Sequence, residues 1–368
     1  AELEAELRAE SQAFLTGLFS YGTPSGPGRG ATRLQILEAA IADLDGPDPL
    51  PANEEARRCS DLATSMAGLG EFERALALAR RGLNAVDRID TPGDASSELL
   101  AFDLRRTSTN ILSDLARYEE ALHEQRELIS LSGDLYGQSD ARTLRALRSF
   151  AITQRRTGNA EEAVGLLQEI AVIADTSRDP DNEALAALIR IDLVSALNFL
   201  GRGDESFAES SRLLDDAERI DLPVMQEVRM FYVGAQAARV AGVGEAELDG
   251  LLRAVELLRT GGLLHRREAV FVVRDAADAL GASGRTGDGA ALLTEALIAM
   301  ERDAVPAVRT PALFALRSAR ALITDPPGAC DDLRAARSLL DEHGADAFRE
   351  ADLENYREAS DRLAGECG

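Results

Sequence analysis

A recurring octet constrains this chain more than any other feature. Leu69-Gly70-Glu71-Phe72-Glu73-Arg74-Ala75-Leu76 returns 46 residues later as Leu115-Ala116-Arg117-Tyr118-Glu119-Glu120-Ala121-Leu122. A third copy, 42 residues further on, reads Thr157-Gly158-Asn159-Ala160-Glu161-Glu162-Ala163-Val164. Each copy lies where one apolar-periodic helical segment ends and another begins. A small residue makes the turn, and Glu sits in the first helical turn, where the macrodipole favours it. The Ala that follows lets two helices approach closely. Recurrence at this period predicts stacked helical hairpins, so the chain reads as an array.

Helical periodicity and Gly/Pro breakers extend the array. Hairpins are expected at about 53–69 with 72–89, 96–115 with 118–133, 140–157 with 160–175 and 182–200 with 205–220. Three more follow at about 223–241 with 245–259, 263–282 with 287–302 and 307–323 with 328–342. The expected organisation is an atypical N-terminal capping hairpin over 1–50, about seven hairpins over 51–343, and a C-terminal capping helix and tail over 344–368. The octet decays along the chain: the aromatic is displaced in Gly203-Asp204-Glu205-Ser206-Phe207-Ala208 and absent from Gly284-Arg285-Thr286-Gly287-Asp288-Gly289. No strand-like alternation appears. The expected class is all-α, a right-handed superhelix (α-solenoid) of helical hairpins.

The third hairpin carries a resemblance. Leu135-Tyr136-Gly137, Thr143-Leu144, Leu147 and Phe150-Ala151, followed by Gly158, Glu162-Ala163 and Leu166-Leu167, resemble the tetratricopeptide repeat in its kinesin-light-chain-like bacterial variety. The second hairpin matches from Leu115 on and the first from Leu62 on. Where that family often shows Asn-Leu-Ala, this chain has Ser149-Phe150-Ala151, so the Asn that can hold a ligand backbone is missing there. The resemblance implies a protein-interaction scaffold whose first helices line a concave groove. Separately, Phe14-Leu15-Thr16-Gly17-Leu18-Phe19, then Pro24, Gly30-Ala31-Thr32 and Ile36-Leu37, resembles a segment of bacterial transmembrane Ser/Thr protein kinases that leads into a tetratricopeptide array. That resemblance implies a regulatory or sensor region whose catalytic domain lies outside this chain.

Composition narrows the function. All 40 basic residues are Arg, so phosphate-loop, kinase and Schiff-base lysine chemistry is excluded from this chain. A net charge of −24 argues against nucleic acid and against docking on anionic lipid. No apolar run reaches the ~18 residues a membrane-spanning helix needs, so no direct membrane insertion is expected. His123, His265 and His343 have no second His or Cys at ligand spacing, and no Gly-x-Ser-x-Gly elbow occurs. Neither enzyme activity nor a cofactor or metal is expected. Cys330 and Cys367 could pair only if the terminal helices bring them within reach, and three free thiols are the expectation, Cys59 included. The chain starts at Ala1 without an initiator Met or a signal-peptide pattern. It is therefore expected to be a soluble piece of a longer protein, cytoplasmic, or extracytoplasmic under the kinase reading.

One segment is anomalous for so acidic a protein. The span 141–156 holds five arginines and no acid. At 100° per residue Arg142, Arg145, Arg148, Arg155 and Arg156 fall within about 140° of arc, opposite Leu144, Leu147, Phe150 and Ala151. The preceding hairpin adds Arg105 and Arg106, with Asn110 one turn on. Such a face suits an acidic peptide or a C-terminal carboxylate, because Arg offers bidentate hydrogen bonds. The alternative is that these arginines pair with acids of neighbouring hairpins. Arg106, Asn110, Arg145, Arg148 and Arg155 are the expected contacts to a protein or peptide partner.

Overall fold

The computed structural model describes residues 5, 9, 11–16, 31–46, 48–89, 95–176, 181–217 and 219–367. Those residues contain helices and turns and no strand. Residues 11–16 are helical, and α1 (Arg33–Asp43) follows. Hairpins then run α2 (Ala52–Gly68) with α3 (Phe72–Val86), α4 (Ala95–Asp114) with α5 (Tyr118–Tyr136), and α6 (Ala141–Arg156) with α7 (Ala160–Thr176). They continue as α8 (Asp181–Phe199) with α9 (Gly203–Asp215) and α10 (Val224–Ala241) with α11 (Gly244–Thr260). The last are α12 (Arg267–Ala282) with α13 (Thr286–Asp303) and α14 (Pro306–Ile323) with α15 (Gly328–His343). A 3₁₀ turn (Ala345–Ala347) precedes α16 (Glu350–Arg362). The class is all-α. Of the 14–19 segment, Phe14, Leu15 and Thr16 are helical, while residues 17–30 lie outside the described residues.

The chain divides into two compact units, 1–189 and 190–368, with the boundary inside α8. In the first, Cys59, Leu62, Ala63 and Met66 of α2 meet Ala75 and Ala79 of α3, all fully buried. The octet alanines Ala75, Ala121 and Ala163 are each 0% exposed, as close helix approach requires. In the second, Leu251, Ala254 and Leu258 of α11 pack with Val273, Ala276 and Leu280 of α12.

The turn inside six of the seven hairpins, all but α14–α15, is a Schellman motif. After α2, the Gly70 N–H donates to Ala67 O (2.9 Å) and the Glu71 N–H to Met66 O (3.0 Å), with Gly70 at φ +82°. The same six-residue bond closes the turns at Gly158, Gly201, Gly242 and Gly284, all with positive φ, so the geometry outlasts the sequence signature. Ala116 takes this position after α4, at φ +56°. A left-handed non-glycine residue costs about 1–2 kcal/mol, whereas Gly adds about 0.5–1 kcal/mol of backbone entropy to the unfolded chain. The first term wins, so Ala116→Gly is expected to raise the unfolding free energy by about 0.5–1 kcal/mol in urea titration.

The expectation of three free thiols is corrected. Cys330 of α15 and Cys367 beyond α16 form a disulfide, their Cα atoms 5.3 Å apart. The cause is tertiary. While α4, α6, α12 and α14 each pack on the second helix before them, α16 packs chiefly on α14, a first helix, and returns the tail to the start of α15. Cys59 stays a free thiol, fully buried, and burial pushes its pKa up to about 11. The native protein should therefore show no thiol reactive to an aromatic disulfide reagent at pH 8. Mild reduction should expose two, and the third should react only on unfolding.

Candidate protein-binding surface

First helices α4 and α6 carry the residues expected at the binding surface. They are linked through α5, where Phe102 of α4, Leu128 of α5 and Ala146 of α6 share one buried cluster. Phe102 also meets Tyr136 edge-on at 5.3 Å. Arg106 and Asn110 are exposed on α4, and Arg106 reaches back one turn to Asp103 (3.1 Å). Arg105 lies 3.8 Å from Glu127 on α5.

On α6, Arg145 and Arg156 are exposed, whereas Arg142, Arg148 and Arg155 are half-buried. Arg142 is committed to structure. Its guanidinium grips Asp140, the N-cap of its own helix, at 2.9 and 3.1 Å, and stacks 3.5 Å from the centre of the Tyr136 ring. Asp140 also accepts from the Arg142 backbone N–H at 2.8 Å, which caps the helix. The Arg142 guanidinium holds the Asp140 carboxyl below its ordinary value, and the charge of Arg145 adds to the effect. Arg156 sits over the Tyr118 ring at 5.5 Å. Arg148 and Arg155 each interact with another group of the chain. Of the five α6 arginines, Arg145 is the one most open to a partner.

The apolar side of α6 differs from the expected stripe. Leu144 and Ala151 are fully buried, but Leu147 and Phe150 are half-buried, while Thr143 and Thr153 lie inside. A buried glutamine explains Thr153: the Gln125 amide of α5 donates to Ser149 Oγ and Thr153 Oγ1, both at 3.1 Å. Ser149 is thus engaged inside the hairpin stack.

The second unit holds a charged network that the sequence alone does not reveal. Tyr232 of α10 donates to Asp275 of α12 at 2.9 Å, and Arg239 stands 3.7 Å from the same carboxylate. Arg274 of α12 bonds Asp352 of α16 at 2.8 Å, and Asp192 of α8 pairs with Arg229 of α10. Asp192, Asp275 and Asp352 are all buried, and each carboxylate has an Arg within ion-pair distance. Burial, reinforced by Asp275, pushes the Tyr232 hydroxyl pKa above its ordinary value. Burial likewise raises the Asp278 carboxyl, with Asp275 adding to the rise. A partial signal existed: one acid interrupts the apolar runs Ile191-Asp192-Leu193-Val194 and Val272-Val273-Arg274-Asp275-Ala276. Among the described residues, no three His, Cys, Asp or Glu side chains cluster as metal ligands.

No protein-family model and no curated protein matches this sequence. Solved structures do share its fold. A Rap protein complexed with competence and sporulation factor is 10% identical, covers 98% of this chain and 93% of its own, and superposes with a TM-score of 0.54. The fold is tetratricopeptide-like. The apo form of RapI is also 10% identical, over 73% of this chain and 90% of its own, with a TM-score of 0.52. A tetratricopeptide repeat protein from Parabacteroides merdae is 12% identical, over 83% and 99%, with a TM-score of 0.50. Among the described residues no helix is long and apolar enough to cross a membrane.

Proposed function

We propose that this chain is a non-catalytic scaffold that binds an acidic protein or peptide segment on the first-helix face of α4 and α6. The observation that carries this reading is the acid-free helix α6, with Arg145 exposed on it and Arg106 and Asn110 exposed on α4. Arg148 and Arg155 stand at the margin of the same face and contribute charge to it. The fold shared with a Rap protein complexed with competence and sporulation factor supports the class of function. A guanidinium–carboxylate pair desolvated in the complex is worth about 1.5–3 kcal/mol, whereas a pair left exposed to water is worth under about 1 kcal/mol.

The test uses synthetic peptides that differ in acidic-residue count and in a C-terminal carboxylate or amide. Affinity is expected to rise with acidic count and to fall with salt. Arg106→Glu with Arg145→Glu should lower it at least tenfold with helicity by circular dichroism unchanged. Equal binding by the double variant would overturn the assignment. A second reading, as the sensor region of a membrane Ser/Thr kinase, is supported by the sequence of 14–19 alone. Sequencing the gene upstream of Ala1 decides it: a kinase domain and membrane helix there support it, and their absence ends it.

A further inference from the structure

We propose that α16 is a releasable latch over the first-helix face of α12 and α14, held shut by the Cys330–Cys367 disulfide, and that reduction uncovers a helix-binding surface. This inference concerns the second unit and stands apart from the reading of α4 and α6. It starts from the odd placement of α16. Each first helix before it among α4, α6, α12 and α14 packs on the preceding second helix; α16 instead lies chiefly on α14. Phe348 stacks on Phe314 of α14 at 4.2 Å, and Tyr356 approaches the same ring at 5.7 Å. Arg349 covers the Phe271 ring of α12 at 4.6 Å, and Asp352 takes the Arg274 guanidinium at 2.8 Å. Farther along, Arg362 donates to the carbonyls of Ala321 and Thr324 at 2.5 and 2.8 Å.

The segment thus lies on first helices as a bound helix would. Phe348 stands in extended backbone just ahead of α16 (φ −123°, ψ 154°), and Asp352 and Tyr356 lie one turn apart on the helix. That arrangement defines the chemistry of a replacement partner: an aromatic in extended backbone leading into an amphipathic helix that carries an acid and, one turn on, a second aromatic, the acid meeting Arg274 and the aromatics meeting Phe314. A short linker, 344–349, joins α15 to α16, and the disulfide ties the far end, so the latch is anchored at both ends. A dithiol reductant supplies two electrons and two protons. The S–S bond breaks, Cys330 and Cys367 become thiols, and the reductant leaves as its own disulfide. The crosslink restricts the open state, so reduction should raise the open fraction by about a hundredfold.

Hydrogen exchange on the full chain reads this directly. With dithiothreitol, amides of 354–362 should exchange about a hundredfold faster, while α12 and α14 keep their protection. Cys367→Ser should do the same without reductant. A fluorescent peptide carrying residues 346–363 should then bind the reduced Asp352→Arg chain, whose own latch is weakened, and not the oxidised wild type. Adding Arg274→Gln should weaken that binding at least tenfold. Unchanged exchange in α16 on reduction would overturn the latch. Loss of protection throughout α12 and α14 would overturn it too, making the disulfide a structural staple. A released α16 with no peptide binding would overturn the helix-binding surface.

Discussion

Phe314→Ala is expected to lower the unfolding free energy of the second unit by about 4 kcal/mol. Phe314 is 0% exposed and is the largest of the fully buried side chains. It joins α14 to Ala336 of α15 and to Phe348 and Leu353 of the terminal segment. Truncating a buried Phe costs about 3–5 kcal/mol in lost transfer energy and cavity, and the aromatic contacts add about 0.5–1.5 kcal/mol of specific geometry. Partial collapse of α16 into the space would return some of that, so the middle of the range is the expected value. Urea unfolding followed by circular dichroism measures it. Ile298→Ala, at a side chain 59% exposed on α13, should shift the same transition by less than about 0.5 kcal/mol. A Phe314→Ala cost under about 1 kcal/mol would show that the aromatic cluster does not hold the C-terminal end together.

Asp61→Asn is expected to stabilise the protein by about 2–3 kcal/mol at neutral pH and by little near pH 4. Burial lifts the Asp61 carboxyl from its ordinary 3.8 to about 6, against a hydrogen bond from Ser11 and the attraction of Arg57. A carboxyl raised in the folded state favours folding below its unfolded value. That contribution is lost as pH climbs from about 4 to about 6. Above that window the ionised carboxylate is a net cost, since each tenfold change in proton affinity between the folded and unfolded chain corresponds to about 1.4 kcal/mol. The neutral amide removes the titration. Wild type and variant should therefore differ little near pH 4 and diverge up to about pH 6, then run parallel. A pH-independent difference would mean that Asp61 keeps an ordinary pKa in the folded protein.

The helix bounds were legible because turn and periodicity agree locally. A glycine or small residue made each left-handed turn, and an acid followed in the first helical turn, as in Glu73, Glu119 and Glu161. Departures came where side chains meet partners off their own helix, some a few residues away and some on distant helices. Tyr136 extends α5 beyond the expected 133, ending at Gly137 with φ +89°, and its ring stacks under Arg142. Arg142 looked like a ligand-facing cation, yet its nearest acid, Asp140, was two residues away and already capping the helix. The wheel position of an arginine gives its direction, not the neighbour waiting there. Asp275 and Asp352 escaped notice because their Arg partners come from other helices or from a neighbour in sequence that faces elsewhere. The Cys330–Cys367 pairing depended on α16 doubling back, which periodicity does not encode.

The disulfide also changes what a broken chain would be. Residues 344–347 are exposed, and they lie on the one peptide path between α15 and α16. A protease that cut there would open the backbone without parting the molecule, because Cys330 and Cys367 would still join the two fragments. Nicked and intact forms would have nearly the same mass until a reductant separated them, so damage to this end of the protein would stay hidden in any oxidising compartment.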